Sequence, residues 1–183
     1  MKLHNFFGQV KSDFQGFSAE KTFEIPHFKI YKNAKSVKVY LGKQYDEEWK
    51  KIETLPTQKQ LDEYEKTLKT FLTEIDSIIN DIKEKSFEYY KERYAKYYEE
   101  PFEVLFENNK IQNTENGQLH SPLNIDNGEK HFDYMNEILE SIRILENNVM
   151  VIPLSYDLDE EHGLEIKIAN NKVEKIDGIG ETY

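Results

Sequence analysis

The chain has 183 residues, 38% of them hydrophobic and 32% charged, with no cysteine and a formal net charge of −11. That is enough apolar content for one domain with its own core, and the absence of thiols excludes disulfides and thiolate metal sites. No run approaches the ~18 apolar residues of a bilayer-spanning helix, and the opening "MKLHNFFGQVKSDF" lacks the unbroken apolar stretch of a signal peptide, so a cytoplasmic protein without a membrane partner is expected.

Residues 1–42 are expected to supply N-terminal strands. In "KTFEIPHF", Phe23 and Ile25 alternate with Thr22 and Glu24, and Pro26 marks a strand end or edge. "SVKVYLG" places Val37, Val39 and Leu41 on one face and closes at Gly42, so the two segments read as a hairpin or as neighbouring strands. A helical region spans 57–99. Thr57 with Gln60 makes a capping-box pattern, and Leu61, Tyr64, Leu68, Phe71, Leu72, Ile75, Ile78, Ile79 and Ile82 form one apolar stripe. Phe87, Tyr90, Tyr94 and Tyr97 continue it, while Tyr89 and Tyr98 fall beside it. An unbroken helix of that extent would be roughly 65 Å long at about 1.5 Å per residue, so a break is expected near Asp81–Ser86, and Pro101 ends the region.

Residues 101–130 read as a possible short strand, "FEVLF", followed by a long Asn-, Gly- and Pro-rich loop. A short helix is predicted across His131–Leu139 with Phe132, Met135 and Leu139 inward. The strongest strand signals lie in 138–180. Ile138, Ile142 and Ile144 lead to a turn at Glu146–Asn148, then to the apolar "VMVIPLSY", where Pro153 implies a bulge or an edge. After the acidic segment, Leu164, Ile166 and Ile168 alternate, Asn170–Asn171 suits a two-residue turn at positive φ, and Val173 and Ile176 open the last strand. The predicted fold is a single α+β domain: an antiparallel sheet with a C-terminal β-meander, and a long helical segment, in two helices, packed on it.

Chemistry-bearing residues concentrate in "YDLDEEHGLEIKI", residues 156–168. Asp157, Asp159 and Glu161 match the first ligand positions of a calcium loop, but the sixth position is His162 instead of Gly and the twelfth is Ile168 instead of Glu. His162 has no second histidine at a metal-type spacing and no paired nucleophile, so it reads first as a residue shaping the entry to a strand. The alternative is a hydrolase or metal-dependent enzyme using His162 and its neighbouring carboxylates. The tyrosine run "YYKERYAKYY" reads as packing surface before it reads as a stacking platform or a dimer face. Trp49, the only tryptophan, anchors the helix start or belongs to an interface. "DGIGET" lacks the spacing of a phosphate-binding loop.

The charge is uneven along the chain, +4 over 1–42, −4 over 43–100 and −11 over 101–183. Nucleic-acid binding relies on Lys and Arg that neutralise phosphates; the acidic half is unsuited to it, and the basic N-terminal segment has no Arg. Charge complementarity favours a protein partner with a basic surface.

The segment "YDLDEEHGLEIKIANNKVEKIDGIG" resembles the closing hairpin of a group of uncharacterised bacterial domains, in which an aspartate-rich turn, D-x-EHG, leads through a strand and an Asn/Gly turn to a final strand ending in Gly. The matching residues are Asp159, Glu161, His162, Gly163, Asn171 and Gly178 or Gly180. That group resembles families found beside polymorphic toxins, some of whose members are taken to be immunity proteins. The resemblance covers about 25 residues and implies a small α+β binding protein with no assigned catalytic residues. The expectation is therefore a non-catalytic protein-binding domain, possible kin of immunity proteins, with no cofactor or metal. Asp157, Asp159, Glu160, Glu161 and His162 are its candidate partner-binding residues, and its oligomeric state is left open.

Overall fold

The computed structural model describes residues 1–99, 122–135 and 138–182. Three short strands open the chain, β1 (Lys2–His4), β2 (Gly8–Asp13) and β3 (Gly16–Ser18), followed by β4 (Lys38–Leu41). Helices α1 (Gln58–Thr73), α2 (Ile75–Arg93) and α3 (Ala95–Tyr98) come next, then α4 (Gly128–Met135). The strands β5 (Ile138–Leu139), β6 (Ser141–Leu145), β7 (Val149–Ser155), β8 (Leu164–Ala169) and β9 (Lys172–Asp177) complete it. The sheet runs β1-β2-β3-β4-β6-β7-β8-β9, with β5 added beside β7.

This is the expected α+β class with its C-terminal meander, and it departs from an all-antiparallel sheet at one seam. β4 and β6 are parallel, pairing Val39 with Ile142 and Leu41 with Ile144. A parallel neighbour needs a long crossover, which here contains the four helices of the described residues, and local pattern carries no trace of such a pairing. The N-terminal strands also differ. The segment predicted as a strand at 22–25 contributes only an isolated bridge, Phe23 to Val37, whereas β1 to β3 lie earlier, in residues too short and mixed to show a period.

Thr57 caps α1 as its pattern predicts: its hydroxyl accepts from the Gln60 N–H at 3.2 Å, and the Gln60 side chain accepts from the Thr57 N–H at 2.8 Å. The break in the helical region lies at Glu74 (φ −97°, ψ 9°), not near Asp81–Ser86. Those residues remain helical because Ile78, Ile79, Ile82, Ser86 and Tyr90 keep the buried stripe continuous through them. Ser86, polar in sequence, is fully buried and occupies an apolar position of that stripe. A second break at Tyr94 resets the helical phase. Tyr98, beyond this break, packs on the core in place of Tyr97, and Tyr89, before it, packs there as well.

The predicted helix over His131–Leu139 begins earlier and ends at Met135; Leu139 is a buried strand residue of β5. Asn127 accepts from the Lys130 N–H and so opens α4. The "FEVLF" segment lies outside the described residues. In the meander, Asn147 and Asn148 (φ 62° and 56°) and Asn170 and Asn171 (φ 49° and 62°) adopt the left-handed conformation that two-residue hairpins require. Pro153 sits where β7 exchanges one partner for another. Arg143 faces Val151 and Leu139 faces Leu154, so the register slips by one residue and no N–H is needed at Pro153.

Alternation then sorts the sheet into two faces. Ile142, Ile144, Met150, Ile152, Leu154, Leu164, Ile166 and Ile168 join Leu61, Leu68, Phe71, Ile78 and Ile82 of the helices in one core. On the other face Arg143 stacks on Tyr40 with 5.0 Å between guanidinium and ring centre, and donates to the carbonyls of Gly42 and Gln15. Among the described residues no helix is long and apolar enough to cross a membrane.

Candidate functional site

The acidic segment forms the turn between β7 and β8. Asp157, Glu160, Glu161 and His162 are exposed, Asp159 is half-buried, and Leu158 and Gly163 are buried beneath them. The turn closes through the Gly163 N–H on the Asp159 carbonyl, at 2.8 Å. Gly163 has φ +64°, and a Cβ there would stand 3.0 Å from the Leu154 carbonyl oxygen. The glycine of the D-x-EHG pattern is thus required by geometry.

His162 pairs with Asp159. One carboxylate oxygen, Oδ1, meets the His162 N–H at 3.0 Å and its Nδ1 at 2.9 Å. The other, Oδ2, accepts from the Tyr94 hydroxyl at 3.0 Å. Partial burial opposes the charge on Asp159, but these hydrogen bonds outweigh it and hold the carboxyl below its ordinary value. The hydrogen bond to Asp159, followed by that carboxylate's charge, raises the His162 pKa above 6.5, and Glu161 and Glu181 add to it. Glu181 belongs to this acidic surface although sequence reading passed over it, because it lies 19 residues on and is brought back past β9.

The tyrosine run and the acidic turn, read separately in the sequence, are one construction. Tyr94 bonds Asp159, its ring meets that of Tyr156 edge-on at 5.4 Å, and Tyr98 reaches the Leu158 carbonyl at 3.5 Å. Beneath them lies His131, fully buried. Its Nδ1 is 3.2 Å from the Ser86 hydroxyl and its Nε2 is 2.8 Å from the Tyr156 hydroxyl. Every group is satisfied when Nδ1–H donates to Ser86, whose own hydrogen goes to the Lys83 carbonyl, and Nε2 accepts from Tyr156. Burial depresses the His131 pKa to about 4, so the ring is neutral, and burial likewise raises that of Tyr156. Ser86 and His131 are a hydroxyl and an imidazole in contact, yet neither is accessible, so this pair is core. Nothing in the spacing of residues 86, 131 and 156 announces it.

Trp49 does not anchor the helix. It is 82% exposed, at φ +60°, on the tip of a small hairpin closed by the Tyr45–Lys51 bridge. Asp46 builds that tip by accepting from the N–H groups of Glu48 and Lys50, both at 2.9 Å. A bulky residue at positive φ is uncommon, and here it turns the indole outward beside Tyr45, with 6.4 Å between ring centres. Gln44 ties this hairpin to the β2–β3 turn by donating to the Phe14 carbonyl at 2.7 Å, and Phe14 is itself 76% exposed.

Two concavities flank the sheet. One, of about 930 Å³, opens between this hairpin, the start of α1 and the β6–β7 turn. The other, of about 390 Å³, lies over the Arg143 face of the sheet. His162 lines neither. Among the described residues no group of three or more His, Asp or Glu side chains is arranged to hold a metal ion. Comparison of the chain with protein-family models, with curated proteins and with solved structures finds no match.

Proposed function

We propose that this protein is a non-catalytic binding domain that engages a basic protein partner through the acidic surface at the β7–β8 turn. The observation that carries the reading is how the turn divides its carboxylates. Asp159 is consumed internally by His162 and Tyr94, which ties the turn to the helical segment, while Asp157, Glu160 and Glu161 stand exposed on it with no hydrogen bond or ion pair among the described residues. A tied scaffold with free charges suits electrostatic recognition, where complementary fields steer association and select the partner. His162 serves the same scaffold, since it stands on an exposed turn with its ring nitrogen on Asp159. Residues 156–180 resemble the closing hairpin of uncharacterised bacterial domains that in turn resemble families found beside polymorphic toxins, and on that resemblance the partner is taken to be a toxin that binding occludes. The rival, a hydrolase built on His162, needs a second titratable cluster facing that ring.

The test compares wild type with Asp157→Asn/Glu160→Gln/Glu161→Gln, leaving Asp159 intact so that the turn keeps its shape. Each is used to recover the product of a neighbouring toxin-like gene at low and moderate salt. The triple variant is expected to lose most of the binding at moderate salt. Equal recovery by both proteins would remove the electrostatic part of the proposal, and turnover of a hydrolase substrate abolished by His162→Ala would replace it with the rival.

A further inference from the structure

The 930 Å³ groove lies at the far end of β7 from the acidic turn. Its floor is apolar, formed by Leu41, Ile52, Leu55 and Leu145, with the ring of Tyr64. Tyr64 is 2% exposed, and its hydroxyl has no hydrogen-bond partner among the described residues. No buried polar side-chain atom among those residues is without a partner, so this hydroxyl keeps its contact with solvent, and the groove it lines is where it finds it. A side chain so deeply buried, with its one polar atom unpaired at the floor of a cleft, is positioned to donate to something that enters.

The wall gives the entrant its charge. Asp46, Glu47 and Glu48 stand along the hairpin side and Glu146 on the opposite turn, against Lys43 and Lys167. Lys167 is already paired with Glu174 at 3.4 Å and Glu48 with Lys50 at 2.5 Å, and Asp46 accepts from two backbone N–H groups of its own hairpin. That leaves Glu47 and Glu146, the latter braced by Gln60 at 2.5 Å, as the rim's acidic contacts. Glu47 is exposed and makes no hydrogen bond or ion pair among the described residues. The lining is therefore an apolar trough with a net acidic rim, and the Tyr64 hydroxyl is one of the donors it offers. Trp49 follows Glu48 in the hairpin but does not line the groove.

We propose that this groove binds an extended cationic segment of a protein partner. An apolar side chain or the stem of a Lys or Arg lies on the floor, a backbone carbonyl accepts from Tyr64, and the positive head group meets Glu47 and Glu146. Arg and Lys suit such a trough because their methylene stems cover apolar surface while the head stays at the polar rim. The proposal deepens the protein-binding reading above and rests on it, but it uses different residues at the opposite end of the sheet.

The probe is a synthetic peptide of alternating leucine and lysine, with a leucine–serine and a leucine–glutamate peptide as controls. Binding to the full chain is measured by calorimetry at physiological salt. The lysine peptide is expected to bind. Tyr64→Phe, which keeps the ring, should weaken it about fivefold, the effect of one neutral hydrogen bond. Glu47→Lys should weaken it by at least as much, in a salt-dependent way, and the Asp157→Asn/Glu160→Gln/Glu161→Gln protein should bind as wild type does. No binding of the lysine peptide, equal binding of the glutamate peptide, or an unchanged affinity in Tyr64→Phe would each overturn the proposal. Loss of affinity only in the acidic-turn protein would do the same, while leaving the reading of that turn intact.

Discussion

His131 and His162 show how one residue type takes opposite roles from its surroundings. His162 is exposed and leans on a carboxylate, so its charged form is favoured; His131 is enclosed by Ser86, Tyr90 and Tyr156 with no carboxylate against its ring, so its neutral form is favoured. The consequences for stability run in opposite directions. A histidine whose folded pKa is raised stabilises the fold below its unfolded value, and that contribution is lost as pH rises through the folded value. His131 is the reverse case: its folded pKa of about 4 lies below 6.5, so the unfolded chain takes up the proton first and stability falls as the pH drops from 6.5 toward 4. Between pH 7.5 and 5 this one site should remove on the order of 2 kcal/mol. Denaturant midpoints across that range should fall in wild type, and the slope should flatten in His131→Leu even though that variant is less stable throughout.

Helices α2 and α4 meet at a glycine. A Cβ on Gly128 would come within 2.7 Å of the Lys83 carbonyl oxygen, which is rigid helix backbone. Gly128 is not at positive φ, so alanine would suit its backbone and gain about 0.4–1 kcal/mol through the unfolded chain. The clash decides the sign, because separating the helices disturbs the packing of Phe132 and Met135 and the Ser86–His131 contact, at about 1–3 kcal/mol. Gly128→Ala should therefore lower the Tm by several degrees. An unchanged or raised Tm would show that α4 shifts without cost. The same helices display how far local pattern reaches. The capping box at Thr57 and the stripe from Leu61 to Ile82 were legible, since both depend on residues within a turn or two. The breaks at Glu74 and Tyr94 were not, since each is placed by what the next segment must cover.

The N-terminal strands, the helices and the meander share one core: Phe7, Val10 and Phe17 belong to the same buried cluster as Leu68, Ile82, Ile152 and Ile166. The parallel β4–β6 seam joins the two halves of the sheet. Unfolding should accordingly be a single cooperative event. Ile166→Ala, at a fully buried position in β8, should cost about 2–5 kcal/mol, and amide exchange of β3 and β4 should accelerate along with that of β7 and β8. Acceleration confined to β6–β9 would mean that the seam does not couple the two halves.

Much of this molecule was readable from neighbours along the chain. The α+β class, the meander with its two Asn-Asn turns, the register slip at Pro153 and the buried face of α1 all follow from periods of two or about four residues and from turn chemistry. The acidic turn was legible as a turn, with His162 and Gly163 at the entry to the next strand, whereas the need for glycine at 163 came from its φ and its neighbours. What spacing cannot carry is contact between distant residues. The crossing of β4 onto β6 spans 100 residues, and the Ser86–His131–Tyr156 chain joins three elements. Asp159 is withdrawn from the surface by a tyrosine 65 positions earlier. The outward Trp49 and the solvent-facing hydroxyl of Tyr64 belong with these, because exposure is a property of packed surroundings.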